Sequence, residues 1–268
     1  MTAAARKLIR YLKRLGATAM YLLFPPICPV CGDVSGKRRI GEPCPECLSR
    51  LTDDMCTVCP QCGQAPRDCV CAPEFCSEFE VSPFTAVHPL IFCAFYEGYD
   101  EDSAVSSLVY HTKRAADSSG AVFLARMISA EILRRAATDH FDVRDCTVTY
   151  IPRSAAALRK YGFDHMGLCA KRCAKLIGCR YCAMFVRRGG TDQKTLGALE
   201  RQRNAESTLS LRKSAATDAA GARVIVIDDV ITIGATMRAA VSALSFAGAA
   251  EIIPAAAFLT SKNKQRQK

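Results

Sequence analysis

Four β-branched residues in a row, Val224, Ile225, Val226 and Ile227, are bounded by Gly221 on one side and by Asp228 and Asp229 on the other. A run this short and apolar predicts a strand buried on both faces, over 222–227. Beyond it, Met237, Val241, Leu244 and Ala247 recur at helical spacing up to Gly248, which predicts a helix over 235–247. Upstream, 91–96 and 146–152 read as strands, the second with β-branched alternation, and Cys182 to Val186 as a further short strand. Helical periods begin near Val105, cover 122–135 with Leu124, Ile128 and Leu133 inward, and cover 165–177 with Leu168, Cys169, Cys173 and Leu176 on one face. Strands alternating with helices predict an α/β fold with a doubly wound parallel sheet. The stretch from Arg187 to Leu209 is long and polar, as in functional lids and disordered segments.

The turn between the central strand and its helix carries the most specific chemistry. It reads Thr232-Ile233-Gly234-Ala235-Thr236. Unpaired N–H groups and the dipole at a helix start favour an anion. Gly234 allows close backbone approach and the two hydroxyls add donors, so the turn suits a phosphate. Asp228 and Asp229, at the carboxyl end of the strand, are placed to accept hydrogen bonds from sugar hydroxyls or to take part in binding Mg²⁺. The combination resembles the phosphoribosyl-diphosphate (PRPP) loop of the type I phosphoribosyltransferases. That resemblance implies that Asp228 and Asp229 hold ribose hydroxyls while residues 232–236 wrap the 5′-phosphate. Purine-salvage members carry an Asp base where this chain has Thr232, so the loop looks more like the orotate type.

Ten of the sixteen cysteines fall within residues 28–76. In a reducing compartment, CxxC pairs at this spacing are metal sites before they are disulfides. Cys28, Cys31, Cys44 and Cys47 form one four-thiol set suited to tetrahedral Zn²⁺, and Cys59, Cys62, Cys69 and Cys71 a second. In the second set the Cys69–Cys71 spacer is a single residue, and Cys56 is an alternative ligand. Cys179 and Cys182 form a further CxxC with no partner pair.

The chain has 268 residues, room for two domains, and a formal net charge of +10. Residues 153–213 hold fourteen Lys/Arg against four Asp/Glu, whereas 77–145 hold six against eleven. That asymmetry points to an anionic ligand, either phosphates or nucleic acid, near the basic window. Arg187, Arg188, Lys194, Arg201 and Arg203 form its basic loop, and Arg153 with Ser154 follow the strand at 146–152. His111 is a further candidate for a phosphate contact. Residues 1–24 set basic positions before the apolar run 15–24, which has no small-x-small cleavage site and is too short for a transmembrane segment. They read as a basic amphipathic helix, with a cytoplasmic location expected. The expected organisation is therefore helix 1–24, zinc-ribbon module 25–76, α/β domain 77–262 and basic tail 263–268.

The order of motifs carries a wider resemblance. Pro25-Pro26-x-Cys28-Pro29-x-Cys31-Gly32 precedes Cys59-Pro60-Gln61-Cys62-Gly63, then a strand ending in Pro152 and Arg159-Lys160-Tyr161-Gly162-Phe163. Thr191-x-Gln193-x-x-Leu196 and Arg201-x-Arg203-Asn204 follow, ahead of the acid loop. This looks like the ComF family of bacterial competence-associated proteins. The resemblance implies a double zinc ribbon before a type I phosphoribosyltransferase-like domain, PRPP with Mg²⁺ as ligand, and a setting in nucleoside metabolism, DNA uptake and other competence proteins. Two departures stand out: Asp164-His165 where the family usually has Asn-Gln, and Val109 where a Lys is common. Two readings follow. One is a phosphoribosyltransferase with Arg153 and Ser154 on the diphosphate side and residues 187–206 as the lid. The other is a binding module for single-stranded DNA, with Tyr161, Phe163, Tyr181 and Phe185 as sparse stacking candidates.

Overall fold

The computed structural model describes residues 25–34, 39–75, 81–96, 100–114, 117–187 and 208–260. The expected helix 1–24, the basic tail 263–268, Cys76, and Arg188, Lys194, Arg201 and Arg203 lie outside the described residues.

After helix α1 (Pro45–Asp54), strands β1 (Ala86–Val87) and β2 (Ile91–Tyr96) form one interrupted edge of the sheet. Helices α2 (Ala104–Arg114) and α3 (Ser119–Asp139) lead to β3 (Cys146–Tyr150). Then come α4 (Ala155–Tyr161), α5 (His165–Ile177) and β4 (Arg180–Tyr181). A separate antiparallel pair, β5 (Phe185–Arg187) and β6 (Leu209–Leu211), precedes α6 (Ala215–Ala219). β7 (Arg223–Ile231), α7 (Ala235–Phe246) and β8 (Glu251–Thr260) complete the described fold.

The main sheet runs β1/β2–β8–β7–β3–β4 and every pairing in it is parallel. Alternation along β7 sends Val224 and Val226 into one core layer and Ile225 and Ile227 into the other. One layer packs against α2, α3 and α5 through Leu108, Leu124, Ile128 and Cys173; the other packs against α7 through Met237, Val241 and Leu244. The doubly wound sheet expected from the sequence is therefore present.

Several local expectations change. On α3 the inward residues include Ile132, while Leu133 is exposed. On α5, Met166, Cys169, Ala170 and Cys173 face the core and Leu168 and Leu176 do not. The strand expected at 182–186 is divided. Cys182 N donates to Val148 O at 3.0 Å, but Met184 N donates to the Thr149 hydroxyl at 3.1 Å, and the chain leaves the sheet to form β5. β8 lacks a strand-like pattern, because Pro254 and a run of alanines occupy its centre. Pro254 falls opposite the gap at 88–90 between β1 and β2, where the edge offers no continuous ladder to interrupt.

The cysteine-rich segment straddles the edge of this sheet. A single antiparallel bridge joins Cys56 to Phe95 of β2, with Phe95 N donating to Cys56 O at 3.0 Å. Before the bridge, Cys28, Val30, Cys47 and Leu51 are buried in the α2/α3/α5 layer. After it, Cys59 and Phe75 are buried in the α7 layer. Each face of the domain thus receives one cysteine group. No helix among the described residues is long and apolar enough to cross a membrane.

Candidate functional site

The site sits where the winding reverses. From β3 the chain crosses through α5 to β4 on one side; from β7 it crosses through α7 to β8 on the other. The crevice between the carboxyl ends of β3 and β7 is the switch point at which open α/β sheets bind ligands. β3 pairs with β7 only as far as Tyr150 and Ile227, whereas β7 stays paired with β8 through Ile231. The strand is longer than the sequence suggests, and Asp228 and Asp229 stand on it just beyond the end of β3.

These two acids have different surroundings. Asp229 is buried, 5 % exposed, and its Oδ2 receives Lys113 Nζ at 2.8 Å and His165 Nε2 at 3.0 Å. Its Oδ1 accepts the Val230 amide at 2.7 Å. Burial opposes its charge, but the Lys113 ammonium and His165 outweigh it and hold the carboxyl well below the usual carboxylate range. Asp228 is half-buried, and one of its oxygens accepts the Asp229 amide at 2.9 Å. Burial, and then the neighbouring Asp229 charge, push its carboxyl up to about 8, against the pull of Lys113 and Arg187. One acid is thus held as a carboxylate while the other holds its proton more readily than a free carboxyl.

Lys113 and His165 were not expected as partners of the acid pair. The available signals were the basic end of α2 and the His that replaces an expected Gln, but neither reveals a contact across more than sixty residues. Arg153 N donates to Asp164 Oδ2 at 3.3 Å, and its guanidinium donates to Phe163 O and Lys113 O. That guanidinium also lies over the rings of Tyr161 and Phe163. Ser154 caps α4 by accepting the Ala157 amide at 3.2 Å. Arg187, at the end of β5, has a buried Nη2 with no hydrogen-bond partner among the described residues; burial lowers its pKa while the Asp228 charge resists that. The buried His165 Nδ1 is also without a partner among the described residues. His111 lies elsewhere: it lines a cavity of about 210 Å³ beside the first cysteine knuckle, away from the acids.

The turn 232–236 and Asp228 line a hollow of about 50 Å³, together with Val230, Ile231 and Met237. Gly234 has φ +79°, in the left-handed region, and α7 starts at the next residue. Ala235, Thr236 and Met237, the first residues of α7, line the hollow, and the amides of a helix start suit an anion.

The two cysteine groups are each gathered into a ligand set. The Sγ atoms of Cys28, Cys31, Cys44 and Cys47 lie within 4.8 Å of one another, as do those of Cys59, Cys62, Cys69 and Cys71. Zn–S bonds of about 2.3 Å at tetrahedral angles separate sulfurs by roughly 3.8 Å. Cys31 and Cys44 are 3.9 Å apart and Cys62 and Cys69 are 3.8 Å apart. Both CPxCG motifs form the same knuckle, with Gly32 and Gly63 at positive φ donating to Cys28 O and Cys59 O. Either group could bind a zinc ion. Cys56 is not in the second set.

Residues 168–268 match the family model for the phosphoribosyl transferase domain. Together with the sheet, this defines the α/β unit as type I phosphoribosyltransferase-like. No curated protein sequence matches the chain. Similar solved structures include one titled as the allosteric regulatory enzyme of purine biosynthesis, at 21% identity over 48% of this chain and 25% of that one. Another is the phosphoribosylpyrophosphate synthetase from Mycobacterium smegmatis, at 18% over 49% and 33%. A third is the glutamine PRPP amidotransferase from B. subtilis, at 20% over 48% and 26%. All three have a TM-score of 0.29, too low for an argument about function, and this chain spans a quarter to a third of their lengths.

Proposed function

We propose that the crevice binds PRPP or a related 5-phosphosugar. The observation that carries this reading is the continuous arrangement of Asp228 with the hollow formed by residues 232–236 at the start of α7. In this reading the turn holds the 5′-phosphate through backbone amides and the hydroxyls of Thr232 and Thr236. Asp228 accepts from a ribose hydroxyl. Asp229, held by Lys113 and His165, orients that carboxyl through its own amide and joins the hydroxyl contacts only if Lys113 moves away. Arg187, whose charge is felt by Asp228 and whose buried Nη2 has no hydrogen-bond partner among the described residues, would meet the anionic end of the ligand. Arg153 keeps the diphosphate side in shape by tying α2 to the loop at 163–164, since its guanidinium is engaged with main-chain carbonyls.

Mg²⁺ fits this donor set: it takes a carboxylate together with sugar and phosphate oxygens, and Asp228 is the acid open to it. The ion would neutralise diphosphate charge there. The two cysteine groups are assigned to Zn²⁺, which would add the stability that a small cysteine-rich segment lacks.

The chain's resemblance to the ComF proteins supports a setting in competence and DNA uptake. Direct single-stranded DNA binding is supported only by the basic window. Phe185 is buried at 1 % exposure, and Tyr161 and Phe163 pack against Arg153, so the aromatics offer little for base stacking. A thermal-shift comparison tests the choice. PRPP with Mg²⁺ is expected to raise the melting temperature where single-stranded DNA of equal phosphate content does not; the reverse ranking would favour the DNA reading.

A further inference from the structure

The tail of the second cysteine group is packed against the phosphate turn. Phe75 lies four residues beyond Cys71, the last thiol of that group, and is 2 % exposed. A Cβ placed on Gly234 would lie 2.9 Å from Phe75 Cε1 and 3.3 Å from Pro73 Cβ. Arg238, one turn into α7, donates from Nη1 to Glu74 O at 3.1 Å and lies over the Phe75 ring. Cys59, Phe75, Ile231 and Met237 belong to one buried cluster, so a sulfur ligand and both flanks of the turn share a core. The first cysteine group belongs to the opposite layer.

We propose that the second four-cysteine group is a regulatory metal site for the phosphate turn: metal on Cys59, Cys62, Cys69 and Cys71 holds Phe75 against Gly234 and keeps residues 232–236 in their anion-binding form. The physical basis is short-range. A residue in the left-handed region with little side chain of its own relies on its neighbours to stay there. Here those neighbours are Phe75 and Pro73, and a chain of four residues connects them to a metal ligand. Without a cation the four sulfurs reprotonate to thiols that no longer share a ligand, and the segment 59–71 has little apolar core to hold it once the metal leaves. Loss of metal would free residues 72–75, uncover Gly234 and let the turn sample other conformations. Metal on the first group sits across the sheet and has no such path. Coupling of this kind is reciprocal: a ligand that orders the turn must also retain the second metal.

The inference rests on the phosphosugar reading only for the identity of the turn's ligand, and its primary test needs no ligand. Hydrogen exchange at residues 232–237 is compared in the full, zinc-loaded chain and in Cys69→Ser, Cys44→Ser and Phe75→Leu, with amides of β3 and β7 reporting global opening. Cys69→Ser and Phe75→Leu are expected to speed exchange at the turn about tenfold without changing the β3 and β7 amides, with Phe75→Leu keeping its full zinc content. Cys44→Ser is expected to speed exchange at the turn no more than at the β3 and β7 amides, since any effect of the first ion acts through global stability. Unchanged exchange in Cys69→Ser and Phe75→Leu, or an equal effect from Cys44→Ser at the turn with the β3 and β7 amides unchanged, would overturn the proposal. If PRPP binds, saturating PRPP should also slow zinc loss from Cys44→Ser to a chelator; binding without that slowing would count against the coupling, not against the phosphosugar reading.

Discussion

Lys113 Nζ lies 2.8 Å from Asp229 Oδ2, on the same oxygen that takes His165 Nε2 at 3.0 Å. A carboxylate with 7 % side-chain exposure is thereby kept charged in a position that would otherwise neutralise it. Asp229→Asn removes the charge and leaves Lys113 unpaired. A stability loss of about 1–3 kcal/mol is expected at neutral pH, below the value for a fully buried pair because Lys113 is 39 % exposed. Urea unfolding of parent and variant measures it; a variant as stable as the parent would show that the pair contributes nothing.

Asp228 should behave in the opposite sense. Its folded-state pKa is raised to about 8, so between the ordinary carboxylate range and pH 8 the folded protein binds more protons at this site than the unfolded chain. Its contribution to stability therefore falls as pH rises through that window and levels off above it. Asp228→Asn, which mimics the protonated acid, should stabilise the fold at pH 8 by a few degrees in melting temperature and little at pH 5. An equal effect at both pH values would contradict the assignment.

Gly234→Ala combines a left-handed backbone angle with contact against Phe75. A loss of roughly 1–3 kcal/mol follows from the backbone and overpacking costs together. Phosphosugar binding should fall in step, and calorimetry on the folded variant would reveal it. Undiminished binding would place the phosphate elsewhere.

Elemental analysis of the purified protein should find about two Zn²⁺ per chain, one for each four-thiol set. Cys31→Ser and Cys69→Ser should each lower the content by one. Because Cys28 and Cys47 belong to the same buried cluster as Leu108 and Leu124, loss of the first ion should also lower the stability of the α/β domain. A metal-free native protein would remove both assignments.

The central strand, the turn and both thiol sets were legible because each is local. Four β-branched residues, one glycine between two threonines and closely spaced cysteine pairs each carry their chemistry within twenty positions. What sequence could not reveal is non-local. Lys113 is 116 positions from Asp229, and only the packing of α2 against the end of the sheet brings them together. β8 was missed because Pro254 and three alanines have low strand propensity, and its place between β7 and β2 overrides that preference. The seat of Phe75 on Gly234 joins two motifs that the sequence presents as separate modules.

Calorimetric titration of PRPP with Mg²⁺ into the full chain and into Asp228→Asn tests the central claim most directly. At pH 9, where Asp228 is a carboxylate, a hydrogen bond to a charged acceptor contributes roughly 1.5–3 kcal/mol, so Asp228→Asn should weaken binding by about tenfold or more while the fold persists. Absence of PRPP binding by the wild-type chain, or equal affinity in the two proteins, would contradict the account.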